Sequence, residues 1–150
     1  PAEFFGETSV RFSRDNRWLA SGSAGHGALV WDLHANDIAA SRVEAPVSAH
    51  LLGDVAFSDD GRFLGLAGSD GRVHLWDWRS QQRPRTIVTG NAESALAWLD
   101  NSRLMVGGVA GRIAVWETSV EELKSMARAV AGRELSSKER ESLSLGLARQ

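Results

Sequence analysis

The sequence predicts an all-β fold made of three four-stranded antiparallel units, followed by a helical tail. Two observations come from internal repetition. The pattern of residues 10–17 returns at 55–62 and at 96–103, and each copy precedes a short apolar segment. Each unit ends in a strand-like segment that closes on a tryptophan. These tryptophans, spaced by 45 and then 40 positions, are Trp31, Trp76 and Trp116. The third observation is composition, because short segments rich in valine, leucine and tryptophan between glycines and aspartates favour strands.

Turn and strand signals define the elements inside each unit. The pairs Asp60-Gly61 and Asp70-Gly71 favour tight hairpin turns, because glycine adopts a positive φ without a steric penalty. More polar segments at Asp37–Glu44 and Arg85–Thr89 are predicted to form the fourth strand of units one and two. Unit three has no such segment, because the chain after Trp116 has a helical pattern. A four-stranded antiparallel unit repeated about every 40 to 45 residues is typical of a β-propeller blade.

The last part of the chain is predicted to form a helical tail. Residues 119–122, Ser-Val-Glu-Glu, have the capping-box pattern, in which serine accepts a hydrogen bond from an orphan N–H and glutamate reaches back. Apolar residues then recur at helical spacing, and a second capping box at residues 136–139 predicts another helix. The predicted division is three blades at about 1–44, 45–90 and 91–118, and a tail at 119–150.

The residues of these units resemble the WD40 (WD-repeat) β-propeller family. Residues 57–64, Phe-Ser-Asp-Asp-Gly-Arg-Phe-Leu, followed by residues 68–77, which end in Val-His-Leu-Trp-Asp, resemble one blade. Residues 19–32 resemble a second blade, and residues 110–117 resemble a third with glutamate where the family usually has aspartate. The resemblance implies a structural role in the blades for six side chains: Trp31, Asp32, Asp70, Trp76, Asp77 and Trp116.

The sequence departs from the family at a buried hydrogen-bond network. Blades of the family often carry a linked histidine, serine, aspartate and tryptophan, and no unit here has all four members. Unit two has Asp70 and Trp76, but Leu66 and Gly68 lie in the region of the serine. Unit one has Ser21 but a glycine at the aspartate position. We therefore expect the blades to depend more on apolar packing than on this polar network.

Three blades are too few to close a propeller, which needs about four or more. In the family that the units resemble, the N-terminal strand usually completes the last blade and removes an open sheet edge. Only the short segment 2–6 is available for that here. The sequence therefore predicts the C-terminal portion of a larger propeller, completed by a preceding segment, by another polypeptide or by further copies of the chain.

Composition and charge exclude several classes of function. Seventeen Lys and Arg against nineteen Asp and Glu give a net charge of -2, so there is no electrostatic basis for sequence-independent nucleic-acid binding, and no nucleic-acid partner is expected. No apolar stretch approaches the ~20 residues that span a bilayer, so no membrane partner is expected. The absence of cysteine excludes disulfides and thiolate sites and fits a cytoplasmic location.

No catalytic, cofactor-binding or metal-binding residues are predicted. The four histidines, His26, His34, His50 and His74, lack the short spacing of a metal site. No Gly-x-Ser-x-Gly motif is present, and the glycines at 107–111 lack the lysine and the helix of a phosphate loop. We therefore expect a protein that is not an enzyme and that uses no cofactor.

A partner-binding surface is predicted where an aromatic residue adjoins clustered arginines, because protein interfaces are enriched in these side chains. The residues are Trp78, Arg79, Arg83 and Arg85. The alternative is that Trp78 packs over its own blade while the arginines are solvated.

The family resemblance implies a protein–protein interaction scaffold or a sensor module. The tail is similar to the helical tails that end WD-repeat regions of large bacterial multidomain regulators, such as signalling ATPases and protease or kinase fusions. One alternative is the C-terminal fragment of an enzyme, a protease or a signalling ATPase, whose catalytic domain precedes this segment. Another alternative is a half-propeller that closes by self-assembly. The residues do not identify the partner, the ligand or the linked effector.

Overall fold

The computed structural model of the protein describes residues 7–23, 27–47, 52–80, 82–90, 92–108 and 111–131. These residues form two four-stranded antiparallel sheets, one three-stranded antiparallel sheet and one helix. The chain divides into two compact units, with the boundary between Trp116 and Glu117. The predicted all-β segment of an incomplete propeller with a C-terminal helix is confirmed.

Blade one is a four-stranded sheet in the order β1-β2-β3-β4. Its strands are β1 (Glu7–Phe12), β2 (Trp18–Ser23), β3 (Gly27–Asp32) and β4 (Val43–Glu44). The predicted strand over Asp37–Glu44 is wrong for most of its length, because residues 33–41 form turns. Side chains stabilise these turns: Ser41 Oγ accepts the Asp32 N–H at 2.9 Å, and Asp37 Oδ1 accepts the Ala40 N–H at 3.0 Å.

Blade two has the same strand order and a longer fourth strand. Its strands are β5 (Leu52–Phe57), β6 (Phe63–Gly68), β7 (Arg72–Asp77) and β8 (Arg85–Val88). Blade three has only three strands in the described part of the chain, β9 (Glu93–Trp98), β10 (Arg103–Gly108) and β11 (Ile113–Glu117). The absence of a fourth-strand segment directly after Trp116 agrees with the sequence, since a helix begins three residues after β11.

The turn between the first two strands has the same side-chain hydrogen bonds in blade one and in blade two. In blade two, Ser58 Oγ donates to Asp60 Oδ1 at 2.7 Å and accepts the Phe63 N–H at 2.9 Å. In blade one, Ser13 and Asp15 make the same contacts around Trp18. Serine and aspartate satisfy backbone groups in such turns, which explains their return at the same place in the repeat. Gly61, at φ 65°, occupies the left-handed position that the turn requires.

The apolar core lies at the two junctions between blades. At the first junction, blades one and two bury apolar side chains against each other: Ala20, Ala28, Val30, Ala45, Val55, Leu64, Leu66, Trp76 and Trp78. At the second junction, blades two and three bury a second cluster: Ala56, Ala67, Val73, Leu75, Leu96, Leu104 and Val106. Each blade is therefore stabilised mainly by its neighbours, as expected for repeat units that cannot bury an apolar face alone.

The first strands of the three blades lie side by side, with β1 against β5 and β5 against β9. One buried carboxylate links all three strands. Asp54 on β5 accepts the Ser9 hydroxyl of β1 through Oδ1 at 2.5 Å and the Leu96 N–H of β9 through Oδ2 at 3.0 Å. The guanidinium of Arg11 lies 2.9 Å from the same carboxylate. These charge-assisted hydrogen bonds fix the relative positions of the three strands.

Helix α1 (Val120–Ala131) follows β11. Ser119 Oγ accepts the Glu122 N–H at 3.3 Å, as the capping-box prediction requires, and Glu117 Oε1 accepts the Ser119 N–H at 2.7 Å. The second predicted helix lies outside the described residues. None of the described residues belongs to a helix long and apolar enough to cross a membrane.

Candidate protein-interaction surface

The three repeated tryptophans lie at equivalent positions of their blades. Trp76 is almost fully buried by blade one, and Trp116 packs against the second junction. Trp31, which no described blade covers, is only partly buried. Among the described residues, neither Trp76 Nε1 nor Trp116 Nε1 has a hydrogen-bond acceptor. The blades therefore lack the polar network at these tryptophans, and apolar packing holds the rings in place.

The aspartates that follow Trp31 and Trp76 bind arginines of their own blades. Arg17 donates to both carboxylate oxygens of Asp32, at 2.9 and 3.3 Å, and lowers the pKa of that carboxyl. Arg62 Nε donates to Asp77 at 3.0 Å in the equivalent pair of blade two. Asp70 instead stabilises its own hairpin turn, where Oδ1 accepts the Arg72 N–H at 3.2 Å.

Trp78 is buried at the junction of blades one and two, and its side chain is only 4% exposed. Its ring packs edge-on against Trp18 of blade one, with centroids 4.5 Å apart. Its indole N–H donates to the Gly61 carbonyl at 3.0 Å. The expectation of a partner-binding surface is therefore wrong for Trp78, and its ring packs against blade one as well as over its own blade.

Arg79 covers this buried ring. Its guanidinium lies 4.4 Å from the centre of the Trp78 ring and 5.4 Å from the centre of the Trp18 ring. It also donates to the Gly61 carbonyl at 2.5 Å. Cation–π contact and this hydrogen bond hold Arg79 against the junction while part of its side chain faces solvent.

Arg83 and Arg85 lie farther along the chain, at the outer edge of blade two, and both are exposed. Arg85 lies over the ring of Phe63, 5.5 Å from its centre, and Arg62 lies 4.9 Å from the same centre. The structure thus separates the four predicted residues into a buried pair, Trp78 with Arg79 over it, and an exposed pair. Partner binding by the exposed pair stays a prediction.

The outer segments of blades one and two differ in charge. Residues 78–92 contain three arginines and no acidic residue, whereas residues 32–46 contain two aspartates, one glutamate and one arginine. Both segments lie beside the last strand of their sheets. Blade two therefore has a basic outer edge, and blade one has an acidic one.

A small polar cleft lies between the turns of blades one and two. Its volume is about 230 Å³, and its lining includes Arg14, Asp15, Asp59 and Asp60. Arg14 is already paired with Asp59 at 2.6 Å, and the Ser13 hydroxyl lowers the pKa of Asp15. Within the described ranges, no group of three potential metal ligands comes together. Asp15 and Asp60 accept hydrogen bonds within their own turns, and Asp59 pairs with Arg14 across the cleft.

Sequence reasoning missed two features: the buried carboxylate of Asp54, and the exposed apolar faces of blades one and three that no described blade covers. The signal for Asp54 was present, since it is an acidic residue inside an apolar strand segment where the other units have Ser9 and Ala95. The signal for the faces was the repeat alignment itself, because Val10 and Val55 occupy the same register in their blades.

The family profile described as "WD domain, G-beta repeat" matches residues 6–32 and 45–77. These two segments of the chain therefore match WD40 repeats. The β-propeller domain of Cps50 (Swd1) from Myceliophteria thermophila has the same fold, with a TM-score of 0.63 and 22% sequence identity over 75% of this chain and 36% of that chain. The fold and the repeats agree with the resemblance predicted from the sequence.

Two curated relatives show how the chain compares in sequence. The ribosome biogenesis protein WDR12 homolog of Nematostella vectensis is 30% identical over 71% of this chain. The target of rapamycin complex subunit LST8 of Mus musculus is 26% identical over 72% of this chain. The chain spans only 26% and 33% of the lengths of these relatives. Both are eukaryotic proteins, so they give no support to the predicted bacterial setting.

Proposed function

We propose that this chain supplies consecutive blades of a WD40 propeller and that the completed propeller is a non-catalytic protein-interaction scaffold within a larger protein or complex. The observation that carries this proposal is the exposure of apolar side chains on the two end blades. These side chains occupy positions whose equivalents in the other blades are buried or partly buried at a junction.

The first exposed face belongs to blade one and is called the leading face, defined by Val10, Phe12 and Trp31. Val10 pairs with Ser21 in the register in which Val55 pairs with Leu66. Val55 is 0% exposed beneath blade one, whereas Val10 is 47% exposed and Phe12 is 60% exposed. A preceding blade on the leading face would bury these side chains as blade one buries Val55.

The second exposed face belongs to blade three and is called the trailing face, defined by Ile113 and Val115. They lie three positions and one position before the blade tryptophan, as Val73 and Leu75 do in blade two. Val73 and Leu75 are buried against blade three, but Ile113 is 72% exposed. Covering one such aliphatic side chain is worth about 1.5–3 kcal/mol, so both faces favour association with further blades.

The names of the relatives support a scaffold role, since LST8 is named as a subunit of a complex and WDR12 as a ribosome biogenesis protein. Neither name describes a catalytic activity. The further proposals are that the preceding blades lie on the same polypeptide or on another one, and that the whole is a cytoplasmic regulatory module. The bacterial host and the effector domain inferred from the tail stay predictions of the sequence.

Site-specific photo-crosslinking tests this proposal. A benzophenone amino acid replaces Phe12 on the leading face or Ile113 on the trailing face, and mass spectrometry identifies the crosslinked peptide. The matched control replaces Ile38, an exposed apolar residue in the turns of blade one. We expect crosslinks from Phe12 and Ile113 to peptides with WD40 repeats and none from Ile38. Crosslinks only to peptides without WD40 repeats would contradict the proposal.

A further inference from the structure

We propose that the outer edge of blade two binds an extended acidic segment of a partner protein as an added strand. This surface, called the β8 edge, consists of strand β8 and residues 82–84 before it. The inference rests on the proposed scaffold function and names the surface and the kind of partner segment. It follows from three properties of the β8 edge: backbone direction, charge and exposed side chains.

The backbone of β8 has one side that no strand covers in the described part of the chain. β8 is the last strand in the order β5-β6-β7-β8. Thr89 N–H donates to the Gly71 carbonyl at 2.9 Å, so the groups of Thr89 point toward β7. Because backbone groups alternate in an antiparallel strand, those of Thr86 and Val88 point away from the sheet. Such outward groups are where an extended segment adds to a sheet.

The charge of the β8 edge selects an acidic segment. Arg83 and Arg85 are exposed there, with the Arg85 guanidinium over the ring of Phe63, and residues 78–92 contain no aspartate or glutamate. Arg72 stands opposite Val88, on the other face of the sheet from Arg85, and its charge is balanced by Asp70 at 3.0 Å. The outer edge of blade one differs, since β4 has only two residues and one of them is Glu44. Charge complementarity therefore favours the β8 edge over its counterpart for an acidic partner.

The side chains of β8 define the pattern of the partner segment. Val88 is 69% exposed and lies on the same face of the strand as Thr86, whereas Arg85 lies on the opposite face. An added strand would place its residues alternately beside these two faces. The best-fitting segment therefore alternates acidic side chains, on the same face of the sheet as Arg85, with β-branched side chains, on the face of Val88.

Fluorescence anisotropy tests the proposal with a fluorescein-labelled peptide of alternating glutamate and valine and with the purified particle that contains the chain. We expect saturable binding that weakens as salt is added, because exposed charges are screened. The double variant R83E/R85E should weaken binding about tenfold or more. The matched control R42E makes the same kind of charge change in the outer segment of blade one and should stay within about twofold of the unsubstituted chain. Equal losses in both variants would overturn the assignment to the β8 edge.

Strand addition is tested separately from charge attraction. The V88P variant removes an outward N–H, and proline is tolerated at such edge positions, so the β7–β8 ladder stays intact. A second test changes only the peptide. Two versions are made, one N-methylated at the odd-numbered residues and one at the even-numbered residues, so that each lacks the N–H groups on one side of the strand. We expect V88P and one of the two methylated peptides to lose about tenfold in affinity, the equivalent of about 1.4 kcal/mol. Unchanged binding by both methylated peptides would overturn strand addition.

Two further measurements test the charge of the partner. A lysine–valine peptide that binds as well as the glutamate–valine peptide would overturn the acidic partner, and so would tighter binding of a short DNA oligonucleotide. The F12D variant changes the leading face only and should bind the peptide normally. If the unsubstituted protein does not bind the peptide but Phe12 and Ile113 still crosslink to WD40 peptides, only this inference is rejected. If the peptide binds but those crosslinks are absent, only the propeller proposal is rejected.

Discussion

Trp78 joins blade two to blade one, and replacing it with alanine tests how much the first junction depends on this ring. The side chain is 4% exposed, packs edge-on against Trp18 and approaches Phe57 at 6.3 Å between ring centroids. Removing a buried tryptophan costs about 3–5 kcal/mol. Loss of the indole hydrogen bond adds little, because the Gly61 carbonyl keeps the guanidinium of Arg79 as a donor. We therefore expect W78A to lose about 4 kcal/mol of unfolding free energy.

The assay is urea denaturation followed by circular dichroism. Since domains of ordinary stability have about 5–15 kcal/mol in total, W78A is expected to lower the urea midpoint strongly or to unfold. The W78F variant keeps most of the apolar packing and should lose only about 1–2 kcal/mol, which keeps the measurement possible. L99A, which shortens an exposed side chain in a turn, is the control and should change stability by about 0.5 kcal/mol or less. A native W78A protein within about 1 kcal/mol of the unsubstituted chain would refute the assigned packing.

Three further predictions concern carboxylates and one glycine. D54N should lower the unfolding free energy by about 2 kcal/mol in the same assay, because the buried carboxylate loses its charge and one acceptor. No change would show that β1, β5 and β9 do not depend on this carboxylate. Asp32 and Asp100 have folded pKa values lowered by Arg17 and Arg103, so their stabilisation is complete above their usual pKa of 3.8 and is lost as the pH falls below it. The melting temperature of the D32N/D100N variant should therefore fall less between pH 4 and pH 2 than that of the unsubstituted chain, and parallel curves would contradict this. G68S should destabilise blade two despite restoring a serine near the family position, because a Cβ there would lie 3.1 Å from the Arg72 carbonyl and would displace Asp70 Oδ1, 2.5 Å away, from its bond to the Arg72 N–H; an unchanged melting temperature would contradict this reasoning.

The repeat made most of the fold predictable from the sequence. Three copies of one strand pattern fix three sheets, because each copy has its turn residues and its tryptophan at the same places. The length of β4 was not predictable in this way. Asp37 accepts the Ala40 N–H and Ser41 donates to the Ile38 carbonyl. These local hydrogen bonds hold turns in place of most of the expected strand.

The position of Trp78 depends on residues that are distant in sequence. Its neighbours along the chain include Arg79, Arg83 and Arg85, which suggested an exposed surface. Its direction is set instead by Trp18, sixty positions earlier, and by the Gly61 carbonyl. Asp54 shows the same limit, since its partners come from the strands of two other blades. Sequence reasoning identified the blades but not the contacts between them.

The most direct test of the unfinished propeller is the native mass of material purified from its natural source, by light scattering together with intact-mass spectrometry of every component. The structure predicts that residues 1–150 occur in a particle heavier than 16.2 kDa that contains further WD40 blades, on the same polypeptide, on a second one or in additional copies. A lone 16.2 kDa monomer that unfolds cooperatively would contradict this prediction, because three blades would then be stable with both end faces exposed to water.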